Sequence, residues 1–217
     1  VLCRMNDARA ALDLVETRRP RIPFDVYASA ISALTWMVRT HVSPQAALSL
    51  ALRTFKALYE AGMHADEQMY GELVRAFESR MHSRPAETRT WVEARVGEHI
   101  PWTTLLASWT RHMIAHHDVP LVRADHLSRL LRLHIRCRHG WLSRQLYEQM
   151  REHHASMLPC TSPTLFGWLF MQSYSRPTSL SFAMRLYQDW CASGRALPQA
   201  HIEPYLRSLL ALSLIHI

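Results

Sequence analysis

One pattern recurs along this chain and limits what it can fold into. "RLYQDWCASGRALP" (185–198), "QLYEQMREHHASMLP" (145–159) and "LASWTRHMIAHHDVP" (106–120) each carry an aromatic helical stretch into a proline. "RTFKALYEAGMHAD" (53–66) has the same shape, with Ala65 at the proline place. The central aromatics are Phe55, Trp109, Tyr147 and Tyr187, separated by 54, 38 and 40 residues. A recurrence near 35–40 residues marks helix pairs that stack side by side.

The segments between these stretches supply the other helix of each pair. Apolar residues at i, i+3/i+4 and i+7 in 26–38, 69–81, 125–137, 164–175 and 202–212 predict one buried stripe per helix. The wide first interval is explained by an insertion over 82–101, bounded by Pro85 and Pro101 and reading as a short extra helix. Without those 20 residues the interval falls to 34. Pro44 is placed as a first-turn residue of a lengthened helix in the first repeat. No unit can bury its stripe alone, so the expectation is an all-α chain, an α-solenoid of stacked antiparallel hairpins.

Composition agrees. The chain has 217 residues, 48% of them hydrophobic, only six glycines and no apolar run of period two. No stretch is apolar enough to span a membrane, so no membrane partner is expected. The residues 1–211 read as one helical repeat domain. The opening on Val1 and the closing "LSLIHI" predict a piece of a longer protein, with 212–217 a non-native tail that resembles a translated sequencing adaptor. Cys3, Cys137, Cys160 and Cys191 form no CxxC pair and predict unpaired thiols.

The pattern of an aromatic, then Met or Trp, then Gly and a hydrophobic-x-Pro or Asp ending resembles the pentatricopeptide repeat. "AMRLYQDWCASGRALPQ" (183–199) and "FKALYEAGMHADEQMYGELV" (55–74) match best, and the resemblance covers residues 7–211. It implies a mitochondrial, non-catalytic repeat protein that binds single-stranded RNA one base per repeat. The tetratricopeptide repeat, which would imply a protein-binding adaptor, is the second resemblance. Projecting the pentatricopeptide base-selecting positions pairs Ala28 with Asp66, Gly71 with Leu121, His126 with Cys160, and Leu165 with Gln199. Only Asp66 has a suitable side chain, so an intact base-reading code is not expected. An RNA-associated or structural subunit of a ribonucleoprotein such as the mitochondrial ribosome, with RNA and protein neighbours as partners, fits that reading.

The formal net charge is +7, and Lys56 is the single lysine beside 24 arginines. That bias points equally to a GC-rich genome and to phosphate binding. Arg129, Arg132 and Arg136 fall at i, i+3 and i+7, opposite Leu127, Leu130, Leu131 and His134/Ile135, with Arg138 just beyond. They form a face that can track an RNA backbone or simply be solvated. Arg18, Arg19 and Arg21 form a second basic cluster in a loop over 16–23.

Chemistry is harder to find. His134, Cys137 and His139 are the tightest metal-ligating group, and they fall short of four ligands, so no metal and no cofactor is expected. No nucleophile elbow, zinc-protease motif or phosphate loop occurs, and no small-molecule substrate is expected. Glu87, Glu93 and Asp118 are scattered and expected in solvated positions. The tryptophans, except Trp91 in the insertion, are expected in the core.

Overall fold

A computed structural model describes residues 10–15, 17, 22–82, 100–154, 167, 169 and 180–194. Among these, every regular element is helical. In chain order they are α1 (Phe24–Arg39), α2 (Pro44–Glu60), α3 (Glu67–His82), α4 (Trp102–Ala115), a 3₁₀ turn at Val119–Leu121, α5 (Ala124–Arg136), α6 (Gly140–His153) and α7 (Leu180–Ala192). The helices expected from the apolar stripes at 26–38, 69–81 and 125–137 are therefore present as α1, α3 and α5. Pro44 occupies the first turn of α2 as the sequence predicts. The inserted helix over 82–101, the stretches at 164–175 and 202–212, and the tail at 212–217 lie wholly or mainly outside the described residues.

The chain divides into two compact units, Val1–Arg129 and Leu130–Ile217, with the division inside α5. In the first unit α1 packs on α2 and on α3, and α2 packs on both α3 and α4. Its core is aromatic at the centre. The Phe55 ring of α2 meets Tyr70 of α3 and Trp109 of α4 edge-on at 5.6 and 6.2 Å, and Phe77 stacks on Trp109 at 5.4 Å. Leu34, Met37, Leu58, Leu73 and Met113 close around these rings with no exposed surface. Each such side chain contributes about 1.5–3 kcal/mol by leaving water.

In the second unit the side chains of α6 and α7 interlock. Tyr147 donates to Asp189 Oδ2 at 2.9 Å and its ring meets Phe182 at 5.7 Å. Arg185 pairs with Glu148 at 2.8 Å and Arg151 with Asp189 at 3.1 Å. Contact positions advance together along both helices, so α6 and α7 run in the same direction.

Four of the described helices end in the same way. After α1, the Val42 N–H donates to Met37 O at 2.9 Å and the His41 N–H to Val38 O at 3.2 Å. Equivalent bond pairs follow α2 at Gly62, α4 at His117 and α5 at Arg138. This double bond pattern satisfies the last carbonyls of a helix and needs a left-handed residue just past the cap. Gly62 takes that conformation at φ 75°, but His41, His117 and Arg138 take it at 61°, 57° and 59° despite their β-carbons. The turns are thus set by hydrogen bonding and packing as much as by glycine.

The tryptophan expectation needs correction. Trp109 and Trp190 are buried, yet Trp141 is 61% exposed, and Trp36 and Trp102 are half-buried. Trp141 follows Gly140 at the very start of α6, where the first turn has its own helix on one side only. Trp91 and the side chain of Trp168 lie outside the described residues.

Candidate functional site

The grooves of the first unit lie beside α3, between odd-numbered helices. α1 and α3 run in the same direction, and a groove of about 530 Å³ lies between them, lined by Ser29, Ser32, Asp66, Gln68 and Glu72 among others. A second groove of about 410 Å³ lies between α3 and the start of α5, lined by Asp66, Gln68, Gly71, Arg75, Arg123 and His126. α3 is the wall common to both. Asp25, Glu67 and Asp125 fall in the first turns of α1, α3 and α5, where the exposed N–H groups favour negative charge.

Glu72 fixes the first groove. Its carboxylate, only 13% exposed, accepts from Thr35 Oγ1 at 3.2 Å and from Arg39 at 3.1 Å, both on α1, and from Arg75 at 3.0 Å on its own helix. Three donors on one carboxylate compensate its burial and hold α3 in register with α1.

In the second groove the imidazole of His126 sits close against Gly71. A β-carbon at Gly71 would come within 2.5 Å of His126 Cε1. Burial pushes His126 below the ordinary imidazole value, and the nearby Arg75, Arg123 and Arg129 add to that, so the ring is neutral near pH 7. Gly71 and His126 are both projected base-selecting positions, and here they fill one another's space. Asp66, the one projected position with a suitable side chain, accepts from the Met69 N–H at 2.8 Å and caps α3.

The structure also places the other basic candidates. Arg129 pairs with Glu78 at 3.2 Å. Arg132 is half-exposed and Arg136 exposed on the same helix, and Arg138 lies in the left-handed turn that follows. Leu127, Leu130, Leu131, His134 and Ile135 are buried as expected for the opposite face. Arg18, Arg19 and Arg21 lie outside the described residues. Arg123 reaches Asp125 at 3.0 Å and Glu67 at 3.6 Å.

One polar knot escaped the sequence reading, and a second joins two of the histidines it grouped. Asp118 is 2% exposed rather than solvated, and it accepts from Tyr59 at 2.5 Å, while the Tyr59 and Tyr70 hydroxyls pair at 2.7 Å. Burial first, then the bond to Asp118, pushes the Tyr59 phenol up to about 12, and Tyr70 is raised further, chiefly by burial. The Tyr59 ring also meets His112 at 4.8 Å and His116 at 5.2 Å. In the second unit, His134 Nδ1 lies 3.0 Å from His139 Nδ1, and burial pushes His134 down to about 3. Among the described residues no group of three or more His, Cys, Asp or Glu is arranged to hold a metal ion. Cys137 and Cys191 are free thiols.

No known protein family and no curated protein matches the chain.

Proposed function

We propose that this chain is a non-catalytic helical-repeat protein of the pentatricopeptide kind, a solenoid of stacked hairpins that holds RNA without reading its bases. In this reading it is a structural subunit of an organellar ribonucleoprotein such as the mitochondrial ribosome. One observation carries the proposal: helices two apart pack together, α1 with α3 and α2 with α4, which leaves polar grooves on either side of α3. That is the packing a repeating hairpin array requires. The mutual filling of Gly71 and His126 supports the absence of a base-reading code, because neither position leaves room for a base edge. Exposed Arg136 and half-exposed Arg132, with Arg138 just past them, offer the backbone contacts.

A filter-binding assay with salt titration tests it. Single-stranded RNA should bind with little sequence preference, and affinity should fall steeply as salt rises. Removing one phosphate contact by Arg132→Ala or Arg138→Ala should weaken all sequences alike and reduce the salt slope by about one. Weak binding insensitive to salt ends the proposal.

A second reading, a protein-binding adaptor, is favoured by a different observation. Arg39, Arg75, Arg123 and Arg129 are all ion-paired to carboxylates, and the first turns of α1, α3 and α5 are acidic. A surface so neutralised attracts phosphate less than the +7 net charge implies.

A further inference from the structure

Trp141 is the most exposed large apolar side chain among the described residues, at 61%. It is not a core residue that lacks a cover. α6 buries Leu142, Leu146, Tyr147 and Met150. At about 3.6 residues per turn, that stripe is centred on the side of the helix opposite Trp141. The core therefore makes no use of this indole. Among the described residues no hydrogen bond or ring contact engages it.

Arg138, on the turn that leads into α6, is unused in the same way. It is exposed and pairs with no carboxylate among the described residues, whereas Arg129, Arg144, Arg151 and Arg185 all do. It takes at φ 59° a conformation that glycine adopts without strain, so a guanidinium is carried there against the local backbone preference. The turn from Arg138 to Trp141 is closed by backbone bonds. The His139 N–H donates to His134 O at 2.9 Å and the Gly140 N–H to Arg138 O at 3.0 Å. No acid lies in the first turn of α6. The first acid along that helix is Glu148, about 10 Å from Trp141 by helical rise, and Arg144 and Arg185 both pair with it.

We propose that Trp141 is a stacking plate for one base of a single-stranded RNA, with the adjoining phosphate held by Arg138. Charge complementarity selects this occupant. A nucleotide joins a flat π face to a negative charge, and so matches the free indole and the unpaired guanidinium together. An apolar protein surface laid over Trp141 would instead bury that guanidinium without a counter-ion. Stacking accepts every base, so the site adds affinity without adding a base-reading code. The inference rests on the RNA-holding function proposed for the chain, and it locates the place where a base, as distinct from the phosphate backbone, is touched.

The probes are a fluorescent oligouridylate and an abasic ribose-phosphate chain of the same length, each titrated with the full chain at one low salt concentration. The wild type should bind the base-bearing probe about tenfold more tightly than the abasic one. Trp141→Ala, its fold checked by circular dichroism, should remove that difference, and Trp141→Phe should keep most of it. Arg138→Ala should weaken the binding of both probes. Equal binding of the two probes by the wild type, or a difference that survives Trp141→Ala, overturns this inference and leaves the phosphate-holding function standing. Failure of the wild type to bind either probe overturns both. Wild-type self-association in sedimentation that Trp141→Ala abolishes also overturns the inference, since the indole would then belong to a contact with a second copy of this chain.

Discussion

His126 occupies the space that a side chain on Gly71 would need, with its Cε1 2.5 Å from where a β-carbon would stand. The contact joins α3 to α5 at the floor of a groove, and it gives a prediction whose sign can be reversed. Gly71→Ala gains about 1 kcal/mol of helix propensity but overpacks the site by about 1–3 kcal/mol, so the protein should lose stability. In a His126→Ala background the obstacle is gone, and the same substitution should stabilise. Chemical denaturation of the four proteins in the cycle measures this; additive effects would mean that the two residues do not press on each other.

Tyr59 and Asp118 form the buried polar link between α2 and the turn after α4. Tyr59→Phe deletes the hydroxyl that donates to Asp118 and should cost about 2–3 kcal/mol, because the buried carboxylate loses a donor. Tyr70→Phe, which leaves the Tyr59–Asp118 bond intact, should cost about 1 kcal/mol. The phenol of Tyr59 is raised from 10.0 to about 12, so its contribution is fully present below pH 10 and is lost as pH climbs toward 12. Denaturation at pH 8, 10 and 11.5 should show that loss in the wild type and a smaller one in Tyr59→Phe.

His134 gives the opposite pH dependence. Its imidazole is held neutral, lowered from 6.5 to about 3 by burial and secondarily by His139. The unfolded chain takes up a proton below pH 6.5 that the folded chain refuses, so stability is intact above 6.5 and declines as pH falls toward 3. At about 1.4 kcal/mol per pK unit the decline is on the order of 5 kcal/mol in total. His134→Gln keeps a hydrogen-bonding side chain without the titration, and its stability between pH 7 and 4 should fall distinctly less than that of the wild type.

Arg138 adopts φ 59° just past α5, a conformation costly for any residue with a β-carbon. Arg138→Gly should stabilise the protein by about 0.5–1 kcal/mol, read as a rise in melting temperature. The same substitution should weaken RNA binding if the guanidinium touches phosphate, so one variant separates the backbone role of this position from its charge.

The helices were legible because burying one stripe imposes a 3.6-residue period, and that period is written plainly at 26–38, 69–81 and 125–137. Trp109 was legible as core for the same reason. The polar contacts were not. Asp118 looks like an isolated surface acid until Tyr59, 59 residues earlier, is brought beside it. Arg129 looks like a free cation until Glu78 faces it. Trp141 is an apolar residue of an amphipathic helix yet is 61% exposed, because a periodic pattern says which side a residue is on and not whether a neighbour covers it. The turns at His41, His117 and Arg138 have no glycine to announce them.

The carboxylate of Glu72 has a further consequence for engineering. Its donors Thr35 and Arg39 belong to a particular neighbour, so α1 and α3 form a keyed joint and not a generic seam. Transplanting another segment of this protein into the place of α1 would leave that acid sealed in without its counterparts. Recombination of these segments is therefore constrained by single matched side chains, even where their greasy surfaces are interchangeable.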